Sequence, residues 1–220
     1  MPEIKERPIL FSAPMVRAIL EGRKTVTRRV VKPQFQTAPV DVVDGVPSWD
    51  YPTNYAGEVQ MNMQRGKPCP YGKPGDRLWV RESLGYDCEY GHYFAAGGKH
   101  GETVYLCSLF DDEDAQTGPS YDGLLPERSV PSIHLHRRYS RILLEITAVR
   151  IERLHDITPD QAIAEGVDAD MCRQYLETSP SRHECKAAAI HGFAGLWQST
   201  GGDWDANPWV WVVEFRRVQP

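Results

Sequence analysis

The stretch ILEGRKTVTRRV, Ile19 to Val30, decides how the chain is read. Before it, Met15, Ala18 and Ile19 recur at helical spacing, with Ser12 placed as an N-cap and Pro14 in the first helical turn. Gly22 stops that helix as a left-handed C-cap does. The run KTVTRRVV is β-branched and alternating, which is the pattern of a strand. On it, Lys24, Val26 and Arg28 are expected on one face and Thr25, Thr27 and Arg29 on the other. A bulge beside the helix end is expected to alter this near Lys24. Four cations, Arg23, Lys24, Arg28 and Arg29, thus gather in a chain of net charge −5. Periodicity alone reads them as a solvated edge strand whose charge discourages aggregation.

Upstream, Ile9 to Phe11 reads as a short strand. Downstream, Lys32 to Pro74 is rich in Pro, Gly, Asn and Asp, and reads as a long loop or irregular hairpin with an edge strand at Glu58 to Met63. GDRLWVRESL is a strand after the Pro74-Gly75 turn. Tyr86 to Arg128 is a second polar, Gly-rich region, and its DDEDAQTG segment reads as solvated loop. RYSRILLEITAVRIERL carries the longest strand pattern. In DITPDQAIAEGV, Thr158 is the N-cap, Pro159 the first turn, Gln161 the capping-box partner and Gly166 the stop. A further helix is expected over Lys186 to Gln198, and NPWVWVVEFRRV closes the chain as an apolar strand. Trp204, Trp209 and Trp211 are read as core. This order predicts an α+β fold over residues 1–220 as a single domain. Its mixed, mostly antiparallel sheet is expected to curl into a small barrel with flanking helices. Two long loop insertions, at about 33–74 and 84–130, interrupt it.

The chain has 220 residues, 41% of them hydrophobic and 25% charged, which suits a globular protein able to bury a core without staples. No stretch approaches the roughly 20 apolar residues of a membrane span. MPEIKERPIL has no apolar signal core, so a cytoplasmic protein without a membrane partner is expected. The five cysteines, Cys69, Cys88, Cys107, Cys172 and Cys185, are odd in number and form no C-x-x-C pair. Cys69, Cys88 and Cys107 with His92 or His100 offer zinc-type ligands. Their irregular spacing favours free thiols, so no metal and no cofactor is expected. The acidic balance argues against a nonspecific duplex binder, but leaves room for a local basic pocket. Cations cluster twice, over Arg23 to Arg29 and over His134 to Arg141.

The run GRKTVTRR resembles the signature of the ASCH domain, a PUA-like β-barrel family: G-x-K, two residues, Glu or Thr, one residue, Arg. Gly22, Lys24, Thr27 and Arg29 fall on its positions in order. The resemblance extends over Pro8 to Lys32, Gly75 to Glu82, Ser140 to Val167 and Trp209 to Val218, about half of the chain. CPYGKPGDRLWVRE, PSIH and WDANPWVWVVEF are similar to a phage and prophage subgroup of ASCH-domain proteins. One small branch of the family, the N4-acetylcytidine amidohydrolases, carries Thr at the sixth motif position, as Thr27 does. It also uses a glutamate in an A-x-x-E context after the long strand, which Glu165 of AIAEGV matches.

The resemblance therefore implies a catalytic set of Lys24, Thr27 and Glu165. Amide hydrolysis needs a nucleophile, a base to activate it and a proton donor for the leaving amine. Thr27 supplies a hydroxyl or positions a water. Lys24, if desolvated near Arg29, is lowered toward the range of a base. Glu165 accepts from Lys24 or passes a proton to the leaving N4. Which group is nucleophile stays open. Arg29 or amides near Gly22 are expected to meet the oxyanion. Arg28, Ser12, Trp79, Arg81 and His134 are the further candidates for substrate contact, with Trp79 and Arg81 offering a stacking face and a cation. His134, His136, Arg137, Arg138 and Arg141 suggest a phosphate-contacting patch. The expected partner is a modified nucleoside or single-stranded RNA or DNA. A PUA-like nucleic-acid-binding module without catalysis, and a ribonuclease, are the alternatives.

Overall fold

A computed structural model describes residues 4–55, 58–107, 125–167 and 184–218. Its main sheet has five strands: β1 (Glu6–Leu10), β2 (Val26–Val30), β6 (Arg77–Arg81), β9 (Leu143–Arg153) and β10 (Trp209–Val218). Their order is β1-β6-β9-β10-β2. β1 runs parallel to β6, and every other pairing is antiparallel. The sheet is mixed and mostly antiparallel, as the sequence pattern required. It does not close: among the described residues β1 and β2 remain its two edges, so the expected closed barrel is replaced by an open sheet.

Side chains alternate along β10 and feed two cores. Trp209, Trp211 and Val213 join Ile9, Leu78, Leu144 and Ile146 under helix α1 (Ala13–Leu20), which adds Met15, Val16 and Ile19. Val210 and Val212 face the other way, toward Val26 and Leu154. Over them lie the short helix α2 (Pro159–Ala164), through Ala162, and helix α3 (Glu184–Ser199), through Ala189, Phe193 and Trp197. A strand covered on both faces has no polar alternation, which is why WVWVV reads as a continuous apolar run.

Both expected insertions contain strands. In the first, β3 (Asp41–Val43), β4 (Val46–Tyr55) and β5 (Glu58–Arg65) form a three-stranded antiparallel sheet. Asp44 and Gly45 both have positive φ, 51° and 73°, between the paired Val43 and Val46. This is the two-residue turn for which Asp-Gly is the strongest short-range sequence signal. Of the two readings of Lys32 to Pro74, the hairpin holds and the long loop does not: the edge strand expected at Glu58 to Met63 is β5, and β3 and β4 are the strands the reading lacked. In the second insertion, β7 (Leu84–Asp87) pairs with β8 (Gly91–Phe94) over a third core of Leu84, Phe94, Leu106, Leu125, Val130, Leu135 and Tyr139. DDEDAQTG lies outside the described residues.

Asp76 ties β1 to β6. Its carboxylate accepts from Arg7 at 2.8 Å and from the Lys5 and Lys73 backbone N–H groups at 3.3 Å. Burial pushes this carboxyl up, but Arg7 and the two amides outweigh burial and hold it below its ordinary 3.8. The unfolded chain then takes up the proton first as pH falls. The stabilisation is complete above about 3.8 and is lost as pH drops through the lower folded value. An Asp76→Asn protein is expected to be less stable than the wild type at neutral pH, with the gap narrowing in acid. Urea midpoints measured from pH 7 down to about 3 test this; a gap that does not change with pH would sink it.

Candidate functional site

Two helix ends bring the candidate residues together. At the end of α1, Arg23 N–H donates to Ala18 O at 2.9 Å and Gly22 N–H to Ile19 O at 3.1 Å, with Gly22 at φ 81°. At the end of α2, Gly166 stands at φ 97° and donates to Ile163 O at 2.8 Å, while Val167 donates to Ala162 O. Both are Schellman ends, which glycine permits because it carries no Cβ. The two ends touch: Thr25 N–H donates to Ala164 O at 2.9 Å. A Cβ on Gly166 would stand 3.0 Å from that of Ala18. The strand consequently begins at Val26 and not at Lys24.

Lys24 and Glu165, 141 positions apart, meet at this junction. Lys24 Nζ donates to Glu165 Oε2 at 2.7 Å, to Glu165 O at 2.8 Å and to Val26 O at 2.8 Å. Three acceptors take three N–H donors, which only the ammonium form supplies. Burial pushes the Lys24 pKa below the ordinary lysine value; Glu165 opposes this, and Arg29 and Arg28 add to the lowering. The other carboxylate oxygen, Glu165 Oε1, accepts from Arg28 at 3.3 Å. Arg28 also donates to Gln161 Oε1 at 2.8 Å and to Glu152 Oε2 at 3.1 Å. Glu152 is paired with Arg150, and Arg150 with Glu214. The result is a chain of alternating charges, buried at its Lys24 end and half-exposed at its Glu214 end.

Thr27 is on the opposite face from Arg28, across from Val213, and is only 1% exposed. Its hydroxyl has no hydrogen-bond partner among the described residues. Val26 and Arg28 share one face and Thr27 and Arg29 the other, as the alternation required. Lys24, just before the strand, is set by the helix junction.

Two adjoining cavities flank this edge. They share Arg29, Tyr71 and Thr200 in their linings. The wider, about 810 Å³, is walled by Phe35, Trp49, Tyr71, Trp197 and Trp211, with the cations Arg28, Arg29, Lys32 and Lys67 around them. The narrower, about 570 Å³, holds Phe11, Ser12, Met15, Arg29 and Arg81. Among the described residues no carboxylate lines either cavity. Arg29, Lys32, Lys67 and Arg81 make no ion pair with a described carboxylate, whereas Arg7, Arg77, Arg137, Arg141 and Arg216 do.

The sequence-derived set thus divides. Ser12, Arg29 and Arg81 line the narrower cavity, and Arg28 and Arg29 the wider. Lys24, Thr27 and Glu165 line neither and lie behind the groove. Phe11 is the near neighbour of both: its ring centroid is 5.4 Å from Lys24 Nζ and 5.4 Å from the Arg29 guanidinium. Trp79 is buried and carries the Arg81 guanidinium at 4.8 Å; it is a platform for that arginine and not an open stacking face. His134, on a 3-10 turn over Ser132–His134, lines neither cavity, although Ser132 reaches the narrower one. In the phosphate patch, Arg137 is paired with Glu6 and Arg141 with Glu82, and Arg138 has no acidic partner among the described residues.

Sequence reasoning missed the aromatic wall. Trp49 and Phe35, stacked edge to face at 4.8 Å, come from the insertion read as a long loop or irregular hairpin, in a part where no strand was expected. Trp211 is core, as read, and also lines the cavity. The Asp44-Gly45 turn signal, which makes Val46 onward a strand, was the means to find Trp49. Among the described residues no cluster of three His, Cys, Asp or Glu side chains fits a metal ion. Cys69 is buried, with its thiol pushed up to about 11 by burial, while Cys88 and Cys107 are exposed. The described helices include none long and apolar enough to cross a membrane. Against family models, curated proteins and solved structures alike, the chain has no match.

Proposed function

We propose that the groove binds an anionic ligand carrying an aromatic base, either a nucleotide or a stretch of single-stranded nucleic acid. One observation carries this reading. In a chain of net charge −5, aromatic rings line the same groove as Arg29, Lys32, Lys67 and Arg81, cations with no acidic partner among the described residues, and no described carboxylate interrupts them; Arg28, which also lines it, is held by Glu152 and Glu165. Rings accept any base by stacking, at about 1–3 kcal/mol per base, and the cations track the phosphates. Lys32 and Lys67 hold no ion pair among the described residues, which leaves their charge for a ligand. The double variant Lys32→Glu, Lys67→Glu is expected to fold normally and to bind a short oligocytidylate at least about tenfold more weakly at low salt. Wild-type affinity is expected to fall as salt rises. Tryptophan fluorescence titration checks both, and affinity indifferent to salt and to these charges would refute the reading.

A second reading is favoured by the meeting of Lys24 with Glu165 at 2.7 Å, one ring away from the groove. On the resemblance to the ASCH family and its PUA-like fold, the protein removes the acyl group from the N4 amide of an acetylated cytidine. An oxygen, from Thr27 or from a water it holds, adds to the acyl carbon. The C–N4 bond breaks, and the proton lost by the attacking O–H is relayed through Lys24 and Glu165 to the leaving amine; attack by water releases the acyl acid directly, and attack by Thr27 leaves an acyl-threonine ester that a water then hydrolyses to the acid and the free hydroxyl. Phe11, which lines the narrower cavity, is the ring 5.4 Å from Lys24 Nζ. A hydrolysis screen over N4-acylated cytosines, cytidines and short oligonucleotides tests this, with release of the acyl acid as the readout.

A further inference from the structure

The groove is two chambers joined at one cation, and that geometry bears on the length of the ligand. Arg29 lines both chambers. One of its guanidinium nitrogens donates to Leu10 O at 2.7 Å, and Phe11 lies under the group at 5.4 Å. These contacts fix the guanidinium at the junction while its other N–H donors have no acceptor among the described residues. A guanidinium with free, coplanar donors suits two oxygens of one phosphate. On either side stands a place for a base. The wider chamber offers the part-exposed rings of Phe35 and Trp49, with the buried Trp211 as its floor. The narrower offers Phe11 and Met15 as apolar wall, with Arg81, held on Trp79, as a second cation. Each chamber falls within the 300–1,000 Å³ range of sites for one small ligand.

We infer that the groove is built for two consecutive nucleotides, with Arg29 reading the phosphodiester that links them. This rests on the nucleotide-binding reading above and makes it narrower: the ligand is a single strand and not a free nucleotide. A terminal phosphate on a mononucleotide occupies one chamber and leaves the other empty. A linking phosphate lets both chambers fill, so the second base binds as a tethered group at high effective concentration.

Three ligands separate the possibilities in one titration of the whole protein, read by the fluorescence of Trp49, Trp197 and Trp211. They are cytidine monophosphate, the cytidylyl-cytidine dinucleotide, and the same dinucleotide with an uncharged methylphosphonate linkage. The phosphodiester dinucleotide is expected to bind at least about tenfold more tightly than either of the others. In an Arg29→Gln protein the two dinucleotides are expected to bind within about twofold of each other, because the neutral side chain no longer distinguishes the linkages. If cytidine monophosphate binds as tightly as the dinucleotide, the two-chamber inference is overturned while the nucleotide reading stands. If none of the three binds to the wild type, both fall. The wild-type comparison decides the matter even where the Arg29 variant fails to fold.

Discussion

A Lys24→Met protein is expected to lose about 3–5 kcal/mol of stability, because it leaves the Glu165 carboxylate buried without its closest cation. The side chains of Lys24 and Glu165 are 0% and 3% exposed, so water does not take over the role of the ammonium. Arg28 remains at 3.3 Å from the other oxygen, but it is shared with Gln161 and Glu152. Two backbone carbonyls, of Val26 and Glu165, lose their partner as well. Adding Glu165→Gln is expected to recover a large part of the loss, since a neutral amide stays buried at lower cost than a bare carboxylate. Urea denaturation of the wild type, both single variants and the double variant gives the coupling directly. A loss below about 1 kcal/mol in Lys24→Met would show that the pair is not the centre of this junction.

Thr27→Val has the opposite profile and separates architecture from chemistry. Valine has nearly the shape of threonine and favours a strand equally. The hydroxyl it removes has no partner among the described residues, so no hydrogen bond is lost and stability is expected to change by less than about 0.5 kcal/mol. On the hydrolase reading the same hydroxyl supplies or holds the attacking oxygen, and its removal is expected to cut turnover of N4-acetylcytidine at least about 100-fold. Intact stability with lost turnover is an outcome no structural role for Thr27 explains. Unchanged turnover would remove Thr27 from the chemistry. Lys24→Met cannot make this distinction alone, since it damages the fold and the proposed site together.

Elements whose cause is local were readable from the sequence. Thr158, Gln161 and Gly166 bound α2 by a capping box and a left-handed end, and each acts within a few residues of its own position. Gly22 ended α1 for the same reason. The alternation along β2 was readable because a strand has period two, and Val26 and Arg28 do part from Thr27 and Arg29. Lys24 escaped the alternation because a contact from α2, 140 residues away, fixes the start of the strand. That Lys24 and Glu165 meet was suggested by resemblance alone; no periodicity in either segment refers to the other. Their burial behind Phe11 was not readable at all. A lysine in a basic run looks solvated until the helix that covers it is placed. The aromatic wall failed for a third reason: a Pro- and Gly-rich composition masked strands whose turn, Asp44-Gly45, was plain in the sequence.

The open sheet has consequences for how the molecule behaves among copies of itself. A sheet that does not close offers backbone donors and acceptors at each side, and a second chain can add a strand to them. One edge here, β1, carries Pro8 between charged Glu6 and Arg7 and exposed Leu10. Proline has no N–H, so the row of donors is broken in the middle of a strand of five residues. The other edge, β2, begins against the end of α2 and presents Arg29. Strand-by-strand growth into filaments is therefore blocked at both ends by different means, a missing donor on one side and a guanidinium with a helix end on the other. The same arginine run that shapes the groove keeps the sheet from recruiting a neighbour.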